Sequence, residues 1–115
     1  GHWTIEGATT SQFEQHLRAV LDLPLGDTSV RAPVVATENV LGPADGSDPA
    51  DRLAQAVAVR GAHVHLYGKA PRPGRKLGHV TTLGQDRAET RQRAAIAARL
   101  LSGEAVAGFG GTDNA

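Results

Sequence analysis

Residues Ala62–Thr82, AHVHLYGKAPRPGRKLGHVTT, carry the signal that decides the fold. Apolar and polar side chains alternate from Ala62 to Lys69, which is the period of a β-strand with one buried face. Proline and glycine within residues 71–74 predict a tight turn, and Leu77–Thr82 then pairs back as a second strand. The stretch therefore predicts an antiparallel hairpin. The polar face of its first strand is formed by His63, His65, Tyr67 and Lys69.

The predicted turn is strongly basic. It is surrounded by Lys69, Arg72, Arg75, Lys76 and, just beyond, His79. The chain as a whole is neutral, with 12 Lys and Arg against 12 Asp and Glu, and no acid occurs between Asp51 and Asp86. Ammonium and guanidinium groups around a rigid turn suit a small dianion such as a phosphate monoester. The competing interpretation is a solvated hairpin tip whose charges only favour solubility.

Two residues are placed to bind such a dianion together. Lys69 leaves the first strand and Arg75 enters the second, so they approach one phosphate from opposite arms of the hairpin. Pro71, Pro73 and Gly74 restrict the turn, which holds the two cations in place at low entropic cost.

The rest of the chain predicts helices and short strands. A helix starts at Thr10 or Ser11, because Ser11 and Glu14 have the spacing of a capping box. Its apolar face is formed by Phe13, Leu17, Val20 and Leu21. A last helix runs from about Asp86 to Leu101 and is stopped by Gly103.

Between these helices the pattern is less regular. Two strand-like runs, Val34–Ala36 and Asn39–Leu41, precede a loop over residues 42–49. Asp48 is then expected to cap a short helix, and this helix is predicted to carry inward Leu53, Ala56 and Val57. Residues 1–8 are predicted to be extended, and the Gly-rich tail 108–115 to be disordered.

Length and composition limit the possibilities. A chain of 115 residues suits one small domain. Cysteine is absent, which excludes disulfides and thiolate metal sites. No apolar run has the length of a membrane span. Methionine is also absent, so we expect the sequence to be a piece of a longer protein.

Two motifs carry a resemblance to a known family. Tyr67-Gly68-Lys69 with Arg72–His79, RPGRKLGH, resembles the signature near the C-terminus of 5-(carboxyamino)imidazole ribonucleotide synthase, an ATP-grasp ligase of purine biosynthesis. Gly1–Ala19, GHWTIEGATTSQFEQHLRA, is similar to the segment where that family leaves its ATP-binding domain. The resemblance covers roughly residues 1–80, in the expected order.

The resemblance implies a fold and a division of the chain. The fold class is α+β, a small antiparallel sheet curling toward a half-barrel with packed helices, similar to a rudiment single hybrid motif. Residues 1–8 correspond to the end of the ATP-grasp segment, residues 9–107 to the C-terminal domain and residues 108–115 to a disordered tail.

The resemblance also implies a reaction and a site. In the longer enzyme, ATP and bicarbonate carboxylate 5-aminoimidazole ribonucleotide, with Mg²⁺ and ATP bound mainly by upstream domains. By motif, Lys69 and Arg75 bind the 5′-phosphate of the ribonucleotide. The resemblance implies a supporting or positioning role at this site for His2, Arg72, Lys76 and His79. No catalytic residue is expected in this part, and the family implies a cytoplasmic, commonly homodimeric enzyme.

Other functions fit the sequence less well. His63 and His65 share a strand face, but no acid lies near them in the sequence and cations surround them, so no metal site is expected. Nucleic-acid binding would need a wider basic face with stacking aromatics. The alternatives left open are a stand-alone anion-binding module and the C-terminal domain of a related ATP-grasp purine enzyme.

Overall fold

The computed structural model describes residues 1–106. In chain order the elements are α1 (Thr4–Gly7), α2 (Gln12–Val20), β1 (Val34–Leu41), a 3-10 turn (Pro49–Arg52), α3 (Leu53–Val57), β2 (His63–Leu66), β3 (Lys76–Gly84) and α4 (Arg87–Leu101). Within residues 1–106 no helix combines the length and apolarity needed to cross a membrane.

The strands form one antiparallel sheet in the order β1-β3-β2. The predicted hairpin is confirmed, since β2 pairs with β3 from His63 opposite Thr81 to Leu66 opposite Gly78. β3 is the central strand and is covered along both edges, so most of it is buried. The same register places His65 directly opposite His79, which brings two imidazoles together on one face.

The core lies between the sheet and α4. Val40 of β1, Val80 of β3 and Leu101 of α4 have no exposed surface. Small side chains on α4, such as Ala97, let the helix approach the strands closely. The α+β class and the packed helices are therefore confirmed, with a sheet of three strands in the described part of the chain.

Side-chain caps fix the predicted helix starts. The hydroxyl of Ser11 accepts from the Glu14 backbone N–H at 3.1 Å, and the carboxylate of Asp86 accepts from that of Glu89 at 2.8 Å. Asp48 caps the 3-10 turn that leads into α3 by accepting from the Ala50 N–H at 2.9 Å. Each cap satisfies a backbone donor that has no partner within its helix.

Two predictions about backbone conformation were wrong. Residues 1–8 are not fully extended, because Thr4–Gly7 form a helical turn. The Thr4 hydroxyl stabilises it by donating to the Gly1 carbonyl at 2.7 Å and accepting from the Gln12 N–H at 2.8 Å. The two strand-like runs near residue 38 are one strand, since β1 pairs with β3 continuously from Val34 to Val40 before a register shift.

The short helix buries less than predicted. Ala56 is fully buried, but Leu53 and Val57 are 39% and 53% exposed. A helix of five residues presents only one narrow face to the core, and Val59 just beyond it fills the next buried position. The predicted disordered tail, residues 108–115, lies outside the described residues.

Candidate functional site

The two cations predicted to bind phosphate are tied across the hairpin. Lys69 Nζ donates to the Lys76 carbonyl at 3.2 Å, and the Arg75 guanidinium donates to the Ala70 carbonyl at 3.0 Å. Each side chain thus contacts the opposite arm. An ammonium has three N–H donors and a guanidinium five, so most of the donors of both groups are left for another acceptor.

The turn itself is held against the loop that follows β1. The Gly42 N–H donates to the Arg75 carbonyl at 2.7 Å, and the Gly74 N–H donates back to the Gly42 carbonyl at 3.0 Å. A Cβ on Gly42 would lie only 1.7 Å from the Arg72 carbonyl oxygen, so only glycine permits this approach. Gly74 has a φ of +74°, which also favours glycine. The basic turn is therefore a fixed structure.

No carboxylate within residues 1–106 forms an ion pair with the cations of the turn. Within residues 1–106, none of Lys69, Arg72, Arg75 and Lys76 forms an ion pair, whereas acids elsewhere in this part pair with Arg18, Arg52, Arg60, Arg93 and His65. Unpaired cations held close together repel one another, and an anion bound between them would relieve that repulsion. Cations held together in this way are a feature that an anion site needs.

A histidine cluster, formed by His2, His65 and His79, lies beside the hairpin. The rings of His2 and His65 each stack on His79 with centroids 4.7 Å apart. The hydroxyl of Tyr67 and Nδ1 of His79 lie 2.8 Å apart and share a hydrogen bond. Lys69 Nζ lies 5.5 Å from the centroid of the Tyr67 ring. Direct contacts therefore connect the cluster to the proposed phosphate-binding lysine.

Burial and charge control protonation within the cluster. Burial lowers the pKa of His79 from 6.5 to about 4, and the neighbouring His65, His2 and Lys76 act in the same direction. The Glu6 carboxylate acts in the opposite direction and raises the pKa of His79. His79 is therefore a neutral imidazole at pH 7. Burial also raises the pKa of Tyr67, so its phenol stays protonated.

The structure separates the supporting residues into two groups. Arg72 and Lys76 are exposed on the hairpin beside Lys69 and Arg75. His79 is only 1% exposed and reaches the hairpin through Tyr67, so it cannot contact a ligand at the outer face of the turn. His2 is exposed and lies between the Phe13 and Tyr67 rings, at 5.5 Å and 5.6 Å from their centroids.

Sequence reasoning missed one acidic residue. It found no acid near His65, yet Glu6 Oε2 lies 2.8 Å from His65 Nε2. The helical turn α1 brings this carboxylate to the sheet across 59 positions of sequence. No local pattern signals such a contact. The pairing of His65 with His79, by contrast, follows from the turn, since both lie seven positions from its centre at Arg72.

Fold and site together define a small α+β domain that presents a rigid basic hairpin without an acidic partner in residues 1–106. Residues 36–93, half of the chain, match the family model of the phosphoribosylaminoimidazole carboxylase C-terminal domain. The chain belongs to this family.

Full-length relatives agree with this membership. N5-carboxyaminoimidazole ribonucleotide synthase from Mycobacterium tuberculosis is 57% identical over 107 residues, which cover 89% of this chain and 24% of that protein. The crystal structure of the synthetase from Thermus thermophilus is 47% identical with a TM-score of 0.70, and the match covers 91% of this chain and 27% of that one.

A third relative was crystallised with ligands. The N5-carboxyaminoimidazole synthase of Aspergillus clavatus, solved in complex with ADP and 5-aminoimidazole ribonucleotide, is 37% identical with a TM-score of 0.69. That match covers 88% of this chain and 27% of that chain. The present chain thus spans about a quarter of the length of the relatives it matches.

Proposed function

We propose that this chain is the ribonucleotide-phosphate-binding part of a longer ATP-grasp ligase of purine biosynthesis. The ligase carboxylates 5-aminoimidazole ribonucleotide to 5-(carboxyamino)imidazole ribonucleotide with ATP and bicarbonate. The observation that carries the proposal is the pair Lys69 and Arg75, fixed on opposite arms of a turn without an acidic partner in residues 1–106. The similarity to an enzyme crystallised with this ribonucleotide supports it.

The chemistry needs two sites, and this chain supplies part of one. Bicarbonate oxygen attacks the γ-phosphorus of ATP, which releases ADP and forms carboxyphosphate. The exocyclic amine of the ribonucleotide then attacks the carboxyl carbon, an N–C bond forms, a proton is lost and phosphate leaves. Mg²⁺, if bound with ATP, would supply positive charge that offsets the negative charge of the transferred group. We assign ATP and Mg²⁺ mainly to the part of the longer protein that precedes the counterpart of Gly1.

Within this scheme the hairpin holds the acceptor. A phosphate monoester carries nearly two negative charges at neutral pH, which matches one ammonium and one guanidinium. Holding the phosphate fixes the far end of the ribonucleotide and so limits where its amine can lie. Arg72 and Lys76 add positive potential, and His79 orients Tyr67 beneath Lys69. His2 is placed at the rim of the same cluster.

The remaining properties of the whole enzyme are part of the same proposal. We assign it to the cytoplasm, where its substrates are made, and to a homodimer, as the family implies. The division at residue 8 stays a prediction. In the structure the first eight residues are tied to the rest through Glu6 and through the bridge between Ala8 and Val30.

The phosphate assignment is tested in the full-length enzyme. A charge-assisted hydrogen bond contributes roughly 1.5–3 kcal/mol, and each 1.4 kcal/mol is about a tenfold change in affinity. Lys69→Ala and Arg75→Ala should therefore each raise the KM for 5-aminoimidazole ribonucleotide about ten- to a hundredfold. The KM for ATP should not change, since the nucleotide binds elsewhere. Steady-state kinetics with each substrate varied in turn measures both.

Two control variants make the result specific. Arg87→Ala removes an exposed cation of α4 that lies outside the hairpin, and His63→Ala removes an exposed imidazole of β2 that lies outside the cluster. Each control variant should leave the KM for ATP and the KM for 5-aminoimidazole ribonucleotide unchanged. If Lys69→Ala and Arg75→Ala behave like these controls, the hairpin is a soluble tip and the phosphate assignment is wrong.

A further inference from the structure

Three metal-ligating side chains meet at the histidine cluster. Glu6 comes from α1, His65 from β2 and His79 from β3, and one ligand atom of each lies within 4.8 Å of the other two. These residues are far apart in the sequence, so the fold itself assembles the group. This is a different place from the hairpin cations, although Tyr67 contacts both.

Two buried polar atoms of this group lack partners. Within residues 1–106, neither Oε1 of Glu6 nor Nε2 of His79 makes a hydrogen bond. A buried acceptor or donor without a partner destabilises the fold, and such atoms are rare in folded proteins. Here both lie in the same cluster, and His79 is 1% exposed. One species that accepts electron pairs from both atoms would remove both penalties at once.

The other atoms of the group already hold these side chains in position. Nδ1 of His79 lies 2.8 Å from the Tyr67 hydroxyl. When Nδ1–H donates to that oxygen, the lone pair of Nε2 is left for a ligand. A hydrogen bond from the second ring nitrogen is the usual way in which a metal-binding histidine is oriented. His65 contacts Glu6 Oε2 at 2.8 Å, so the third donor is already beside the carboxylate.

We propose that Glu6, His65 and His79 bind one Zn²⁺ ion, or a similar first-row divalent ion. Two imidazoles and a carboxylate are a donor set that zinc takes, with a fourth position left for water. Ligand atoms on one tetrahedral zinc lie about 3.4 Å apart at zinc–ligand distances near 2.1 Å. Binding thus requires side-chain shifts of about 1 Å. His65 has room to shift, because its side chain is 36% exposed.

The ligands at this site favour zinc over magnesium. Lys69 is directed toward the Lys76 carbonyl, and Glu6 is the acid that faces the cluster. One carboxylate is a poor site for Mg²⁺, which prefers several oxygen ligands, whereas neutral imidazole nitrogen binds zinc. The site should therefore select zinc over magnesium and be separate from the magnesium that accompanies ATP.

Calorimetric titration of the chelator-treated full chain with Zn²⁺ tests the proposal. We expect one saturable site, unaffected by millimolar Mg²⁺. Glu6→Gln and His65→Asn should each weaken Zn²⁺ binding roughly tenfold or more. Matched controls are His63→Asn and His16→Asn, which remove exposed imidazoles outside the group and should keep the parent affinity. Circular dichroism establishes that each variant is folded.

A second measurement reports on the buried His79 side chain without a substitution at that position. Nitrogen-15 NMR of the imidazole rings should show the Nε2 resonance of His79 shifting on addition of Zn²⁺, and no shift in His16. The proposal is overturned if the parent chain binds no Zn²⁺ stoichiometrically, which would leave water as the partner of the two buried atoms. It is also overturned if Zn²⁺ binds but the His63→Asn variant loses as much affinity as His65→Asn.

Discussion

His79 is the residue on which burial and charge act most strongly. It is 1% exposed and packs between two other imidazoles, and within residues 1–106 its side chain makes one hydrogen bond, to Tyr67. Adding a proton would place a positive charge next to His65, His2 and Lys76, with only Glu6 to offset it. The folded protein therefore holds this imidazole neutral, and folding becomes linked to pH.

The sign of the linkage follows from the two pKa values. The pKa of His79 is about 4 in the folded chain and 6.5 for the unperturbed group. Between these values the unfolded chain binds more protons, so the free energy of unfolding falls as the pH drops from 6.5 to 4. At 1.36 kcal/mol per pKa unit the loss is about 3 kcal/mol. Urea unfolding at several pH values, in chelator, measures it.

A substitution isolates this contribution. His79→Gln keeps a polar side chain but cannot titrate, so its stability should depend less steeply on pH across this window. His16→Gln, on the exposed surface of α2, should keep the parent slope. Equal slopes for His79→Gln and the parent would show that other groups cause the acid sensitivity.

At the scale of elements, the two longest helices differ in how they are packed. α4 lies against the sheet and has six buried residues, whereas α2 has none. Phe13, Leu17 and Val20 of α2 are between 50% and 67% exposed. Polar contacts therefore hold α2 in place: Ser11 caps its first turn, Glu14 and Arg18 form an ion pair of 2.7 Å, and the Gln15 amide exchanges two hydrogen bonds of 2.9 Å with the Gly26 backbone.

The same substitution in both helices should give different results. Leu101→Ala removes a side chain with no exposed surface and should lower the free energy of unfolding by about 2–5 kcal/mol. Leu17→Ala removes one that is 59% exposed and should change it by about 0.5 kcal/mol or less. Urea denaturation of the two variants beside the parent gives both values. A large loss in Leu17→Ala would mean that α2 is packed in solution.

Sequence patterns predicted the elements better than their packing. The hairpin, the caps at Ser11 and Asp48 and the extent of α4 follow from local signals, and all are confirmed. The apolar face of α2 was also predicted, but periodicity says only that a face exists, not what covers it. The pairing of β1 along its whole length depends on β3, which is more than 30 positions away.

For the candidate site, the sequence likewise predicted the features that depend on neighbouring residues and missed those that depend on the tertiary fold. The basic turn can be predicted because its cations are close together in the sequence, and the alternation from Ala62 to Lys69 predicts His65 and Tyr67 on one face. Glu6 reaches His65 only through the tertiary fold, so the sequence did not predict this carboxylate beside the histidine cluster. The burial of His79 could not be predicted from local sequence either, because His2, His65 and Tyr67 come together around its ring only in the folded chain.

At the scale of the whole molecule, the chain is about a quarter of the length of its relatives. Its core is built from residues between Val40 and Leu101, while most large exposed apolar side chains precede residue 31. The proposed acceptor site likewise lies at the turn between β2 and β3, and the proposed scheme assigns the nucleotide site to another part of the longer protein. Half of a two-substrate site can bind but cannot transfer, since carboxyphosphate must form within reach of the amine.

We therefore expect the 115-residue chain to be inactive by itself. Purified chain should release no ADP above a protein-free control when supplied with ATP, Mg²⁺, bicarbonate and 5-aminoimidazole ribonucleotide. The full-length enzyme assayed in parallel should turn over, and Lys69→Ala in that enzyme should slow it at low ribonucleotide concentration. Ribonucleotide-dependent ADP release by the chain alone, persisting through a further purification step and lost in Lys69→Ala, would place a nucleotide site within these residues. It would then contradict the assignment of ATP to the longer protein.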